Sequence, residues 1–104
     1  MQPLTPGQRS FLRAKAHALS PVVMIGEAGL SPAVMKEIAS NLTSHELIKI
    51  KVRGDDRELR KNLLSQICTE LGAKSVQHIG KILVVFKAAD KPKLVLPEDK
   101  KTKG

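Results

Sequence analysis

Apolar positions change their period several times along the chain, and each change marks a boundary. Thr5-Pro6-Gly7-Gln8 reads as a threonine cap, a proline at the first helical position and a glutamine able to reach back to the cap. Phe11, Ala14 and Ala18, with Leu12 and Leu19 beside them, then recur at three- and four-residue steps. The spacing predicts a helix over 6–18 with Arg9, Arg13 and Lys15 toward solvent. Ser20-Pro21 ends it, and Val22 to Ile25 is the unbroken apolar run expected of a strand buried on both faces, or nearly so. Gly26-Glu27-Ala28-Gly29 leads into a second helix, opened by Ser31-Pro32 and striped by Val34, Met35, Ile38 and Leu42. It should end where small polar residues gather, at Asn41 to Ser44, with His45 either capping it or starting the next element.

From Glu46 to Arg53 the period drops to two. Ile48, Ile50 and Val52 share one face of a strand, and Lys49, Lys51 and Arg53 share the other. Gly54 closes that strand, and Asp55 with Glu58 reads as a capping box for a third helix carrying Leu59, Leu63, Ile67 and Leu71 on its apolar face, with Gly72 just past its end. Ser75 to Ile79 and Ile82 to Lys87 flank Gly80-Lys81, the pattern of an antiparallel hairpin. Beyond Ala88 the chain turns to Lys, Pro and Asp, with at most a short extended contact at Leu94-Val95-Leu96 and a basic flexible tail over 98–104. There is no internal repeat. The order α-β-α-β-α-β-β implies a two-layer α+β fold, a small four-stranded mixed sheet packed against three helices, forming one domain over 4–97.

Charge changes this picture more than composition does. Hydrophobic residues at 41% and charged residues at 27% are ordinary for a folded domain of 104 residues, but Lys plus Arg is 18 against 10 Asp plus Glu, a net charge of +8. A polyanion is the natural partner. The single cysteine, Cys68, excludes an intrachain disulfide and fits a reducing, cytoplasmic setting. No apolar run is long enough to span a bilayer, so no membrane partner is expected. With Phe11 and Phe86 the only aromatics, platforms on which bases stack are nearly absent, which directs any nucleic-acid contact to the backbone.

The sequence holds no enzyme signature. His17, His45 and His78 stand in no nucleophile motif, and they do not combine with Cys68 at metal-ligand spacing, so neither catalysis nor a metal or other cofactor is expected. Cys68, between Leu64 and Leu71, reads as core packing. Gly26-Glu27-Ala28-Gly29 is sharper. Glycine allows close backbone approach, and the helix that follows offers unpaired N–H groups and the positive end of its dipole. The same four residues also suit an ordinary tight turn, and the carboxylate of Glu27 opposes an anion. The alternating Lys49, Lys51 and Arg53 stand at roughly 6.6 Å intervals. Arg9, Arg13, Lys15, Lys36, Arg57, Arg60, Lys61, Lys81 and Lys87 lie on elements able to border the same surface.

Three stretches carry a family resemblance: VVMIGEAGLS from Val22, HELIKIKV from His45 and VQHIGKILVVFK from Val76. The chain resembles bacterial YhbY-type proteins, free-standing CRM (chloroplast RNA splicing and ribosome maturation) domains, from Leu4 to about Pro97. The resemblance implies a fold like the C-terminal domain of a bacterial translation initiation factor. It also implies binding to precursors of the large ribosomal subunit. Its loop falls on Gly26 and Gly29, with Glu27 and Ala28 between them, and its basic strand on Lys49 and Lys51. The chain departs from the family pattern at Glu27, and at Phe86 where Tyr is common. The RNA-binding set expected is therefore Gly26 to Gly29, Lys49, Lys51 and Arg53, with Arg57, Lys81 and Lys87 beside them. The partner is ribosomal RNA precursor or the assembling particle, bound by a monomer. The competing reading is a protein-interaction module that docks a ribosomal protein, its charge serving only to steer encounter.

Overall fold

In a computed structural model that describes residues 4–97, the chain forms α1 (Pro6–His17), β1 (Val23–Ile25), α2 (Pro32–His45), β2 (Leu47–Val52), α3 (Arg57–Leu71), β3 (Lys74–Ile79) and β4 (Ile82–Phe86). The tail expected over 98–104 lies outside the described residues. Local chemistry starts each helix. The Thr5 hydroxyl accepts from the Gln8 N–H at 3.1 Å, and the Gln8 side chain accepts from the Thr5 N–H, closing the expected capping box. Ser31 caps α2 by accepting from the Val34 N–H. Gly72 ends α3 in the left-handed region, at φ 68°.

The four strands make one mixed sheet in the order β1-β2-β4-β3. β1 and β2 run parallel because the α2 crossover joins them, while β4 pairs antiparallel with both β2 and β3. Alternation along the strands feeds two cores. Ile48, Ile50, Val52, Leu83 and Val85 point to α2 and α3, meeting Ile38, Leu42, Leu63 and Ile67. Leu47, Val84 and Phe86 point the other way and meet Leu12 and Ala16 of α1, with Leu94 and Leu96 packed alongside. The sheet and three helices are as expected, but the two-layer arrangement needs amending, since α1 covers part of the reverse face.

Several local expectations are corrected. The apolar side of α1 is Leu12 and Ala16, while Ala14 and Ala18 are exposed. Arg9 is drawn inward, donating to the carbonyls of Ser75 and Val76, where a β-bulge breaks the β3–β4 register. β1 is an edge strand, so only Val23 and Ile25 are buried and Met24 is 53% exposed. Asp56, not Asp55, caps α3 by accepting from the Leu59 N–H at 3.0 Å, whereas Asp55 pairs with Lys81. On the first turn of α3 Leu59 is exposed and Arg60 buried, while Leu63 and Ile67 of the expected stripe are buried. Helix α2 runs on through His45, and Glu46 is its cap, not the start of the strand. Cys68 is half-buried against the α2–α3 core, and burial pushes its thiol pKa up, as packing predicts.

Candidate nucleic-acid interface

Parallel pairing of β1 and β2 brings their C-terminal ends together, and the loops that leave those ends form one cluster. Gly26 to Gly29 leaves β1, and the N–H of Arg53, just past β2, donates to the Ile25 carbonyl at 2.9 Å. The Val52 N–H donates to the Lys81 carbonyl at 2.8 Å, which fixes the β3–β4 turn beside them. Arg57 opens α3 four residues after Arg53, at the same end of the sheet and on the side of His78 in β3. The Gly-x-x-Gly loop, Arg53, Arg57 and Lys81 therefore share one end of the sheet.

Within the loop, the Gly29 N–H donates to the Gly26 carbonyl at 3.0 Å, so this N–H is used by the turn itself. The N–H groups of Glu27 and Ala28 make no hydrogen bond among the described residues, and both residues are exposed. Gly29 holds φ +81°, which asks for glycine. Gly26 does not have a positive φ, and a Cβ added there would meet no atom within 4 Å. The fold alone thus has no need of glycine at position 26. Arg60 is buried and braces the 53–56 connection between β2 and α3, donating to the Gly54 carbonyl at 3.1 Å and to His78 Nε2 at 3.2 Å. His78 must be neutral to accept, and burial with the nearby Arg57, Arg60 and Lys61 charges lowers its pKa.

Lys49 and Lys51 lie on the reverse face of the sheet, the side α1 covers in part. Lys51 is exposed, whereas Lys49 is half-buried and donates to the Leu19 carbonyl at 3.0 Å. Lys81 is engaged with Asp55 at 3.2 Å. Lys87 does not join the group: its N–H donates to the Glu46 carbonyl at the opposite end of β2, about 20 Å away at strand rise. A larger, mainly apolar groove of about 550 Å³ lies at that far end between Leu19, Val22 and Leu94. A second groove, about 390 Å³, separates α1 from the open part of the reverse face and is lined by Arg13, His17 and Lys49.

Charge is divided between the faces. α1 and the four strands contain Arg9, Arg13, Lys15, Lys49, Lys51 and Lys74 and no Asp or Glu. α2 and α3 carry Glu37, Glu58 and Glu70 against Lys36, Arg57, Arg60 and Lys61. The excess positive charge is therefore concentrated on the sheet and α1. Among the described residues no group of three His, Cys, Asp or Glu is placed to hold a metal ion, and no helix is long and apolar enough to cross a membrane.

Arg13, expected to border the lysine face, does line the groove beside Lys49, whereas sequence reading missed His17, because its proximity depends on α1 crossing the sheet. It also missed Glu46. This carboxylate is 1% exposed and accepts from the N–H groups of Ala89, Lys93 and Leu94 at 2.8, 2.9 and 2.9 Å. The Ala89 N–H, followed by those of Leu94 and Lys93 and the Lys93 charge, holds its pKa below the ordinary carboxylate value against the opposing effect of burial. Glu46 fastens the 88–97 strap to the body.

Comparison with known proteins shows the family and agrees with the fold. Residues 4–87 match the family model of the CRS1 / YhbY (CRM) domain. A Haemophilus influenzae RNA-binding protein is 44% identical over 97 residues, covering 93% of this chain and 98% of that protein. A Bacillus subtilis protein described as a probable RNA-binding protein, YqeI, is 33% identical over 92 residues, covering 88% and 96%. A solution structure of a Staphylococcus aureus protein superposes with a TM-score of 0.79 at 29% identity, over 90% of this chain and 99% of that one. With most of its length matched by the family model and by full-length relatives, the chain belongs to the CRS1 / YhbY (CRM) domain family.

Proposed function

We propose that this protein binds RNA, associates with precursors of the large ribosomal subunit and assists their assembly, acting as a monomer through one domain over 4–97. The observation that carries the reading is the loop end of the sheet, where the bare Gly26–Gly29 backbone with two unused N–H groups stands beside Arg53, with Arg57 and Lys81 at the same end of the sheet. A glycine at 26 that the fold does not require suits close approach of another backbone. The relatives named as RNA-binding proteins support the class of ligand. The CRM family is non-catalytic, in agreement with the expectation that the chain is not an enzyme.

In this mechanism the loop N–H groups contact phosphate oxygens, and the positive end of α2 adds to their attraction. Lys51, Arg53 and Arg57 neutralise neighbouring phosphates, while Lys49 and Lys81 contribute charge from positions already held by the Leu19 carbonyl and Asp55. Glu27, being exposed, turns its carboxylate to solvent. The test is sedimentation of a cell lysate through a sucrose gradient at low and high salt, with the protein located by blotting. Co-migration with large-subunit precursors that is lost at high salt and after RNase treatment is expected. A protein that stays at the top of the gradient at low salt overturns the assembly role.

A further inference from the structure

Two aromatic residues in the whole chain leave no ring platform for bases, yet the open part of the reverse face is not purely cationic. Register places Met24 opposite Lys51, Lys51 opposite Ile82, and Ile82 opposite Ile79. These four residues form one row across all four strands, spanning about 14 Å at the usual strand spacing. Met24 is 53% and Ile79 56% exposed, and Ile82 is half-buried between them. Lys49 lies along the same face, with Arg13 and His17 of α1 across the 390 Å³ groove.

Exposed aliphatic side chains spread across a cationic sheet need a ligand that is anionic at its edge and apolar on its faces. A protein partner would need carboxylates matched to the lysines around an apolar centre. An unpaired nucleotide has both properties in every residue, a phosphate and a flat base. A duplex does not, because its base faces are stacked inside and only phosphates, riboses and polar base edges face outward. The absence of any Asp or Glu on α1 and the strands matches the polyanion.

We propose that the Met24–Lys51–Ile82–Ile79 row is a docking site for an unpaired RNA segment, whose bases lie on the aliphatic side chains while Lys51 and Lys49 hold its phosphates. This rests on the RNA-binding reading and adds base contact to a mechanism otherwise confined to the backbone. The site prefers single strands for their accessible bases, and it is tolerant of sequence, since packing against methyl and thioether groups reads no hydrogen-bond pattern.

The test uses the full chain and two labelled probes, a mixed-sequence single strand of about twelve nucleotides and a duplex of about sixteen base pairs. The double variant Met24→Ser with Ile79→Ser changes two exposed side chains. It should bind the single strand about tenfold more weakly, with duplex affinity and salt dependence unchanged. In the wild-type chain, the single strand should shift the methyl resonances of Met24, Ile79 and Ile82, and the duplex should not. Unchanged single-strand affinity, equal weakening toward both probes, or shifts confined to the Gly26–Gly29 loop would overturn the site while leaving RNA binding intact, and would leave the row to a protein partner. A wild-type chain that binds neither probe removes the RNA reading and this site with it.

Discussion

Replacing Glu46 tests how the fold is closed. Its carboxylate accepts three backbone N–H groups at 2.8 to 2.9 Å from Ala89, Lys93 and Leu94, and its residue sits at φ 64°, outside the usual range for a side-chain-bearing residue. Bonds to a charged acceptor contribute about 1.5–3 kcal/mol each, or about 5–9 kcal/mol for three, and burying the carboxylate takes back several of these. Glu46→Ala removes the acceptor, after which the strap can lift and hydrate its N–H groups, so the loss is limited by what the strap contributes through Leu94 and Leu96, both half-buried. The expected loss is about 2–4 kcal/mol, a fall of roughly 1–3 M in the urea midpoint. Glu46→Gly should recover about 1 kcal/mol of it by relieving the positive φ. Hydrogen exchange reads the mechanism directly: the amides of Ala89, Lys93 and Leu94 should be protected in the wild type and fast in both variants. A loss under about 1 kcal/mol with those amides still protected refutes the latch.

Other consequences are as direct. Since the folded pKa of Glu46 is lowered, the unfolded chain takes up the proton first, so stability from this group is full above pH 4.5 and is lost as pH falls through its folded value; the pH dependence of the urea midpoint should lose this component in Glu46→Gln. His78 behaves alike from a higher start: with its pKa lowered from 6.5, stability declines once pH drops below that value, and His78→Gln should flatten this part of the profile. Gly29→Ala should cost about 1–2 kcal/mol of stability because of φ +81°, whereas Gly26→Ala should leave the urea midpoint unchanged and weaken RNA binding alone. Lys51→Glu should weaken both RNA probes with no change in fold, and unchanged affinity would argue against the cationic strand.

The element order was legible because the period of apolar residues changes at every boundary and caps such as Thr5 and Ser31 act locally. What escaped were choices between near-equal local options and facts set at long range. Asp55 and Asp56 are chemically the same cap, and only the folded chain shows that Asp56 accepts from the Leu59 N–H while Asp55 faces Lys81. Leu12 and Ala16 compete with Ala14 and Ala18 for the inner side of α1, and the reverse face of the sheet decides between them. The run Val22 to Ile25 gives no sign that β1 is an edge, which is why Met24 read as buried. In the candidate site, the loop and the alternating lysines were visible as motifs, whereas the meeting of the loop with Arg53 follows from the parallel β1–β2 pair, that of Lys81 from the bond between the Val52 N–H and its carbonyl, and the lysines turn to the reverse face. The exclusion of Lys87, the burial of Arg60 and the latch at Glu46 depend on contacts between residues distant in sequence, which no local pattern encodes.

The salt dependence of RNA affinity tests the central claim most directly. Each phosphate neutralised contributes a slope of about −0.7 to −0.9 in log K against log salt, so five contacts predict a slope of roughly −3.5 to −4.5. A slope in that range, made shallower by about one contact in Lys51→Glu, is the predicted result. A slope near zero, or one untouched by Lys51→Glu, would contradict a backbone-directed cationic interface.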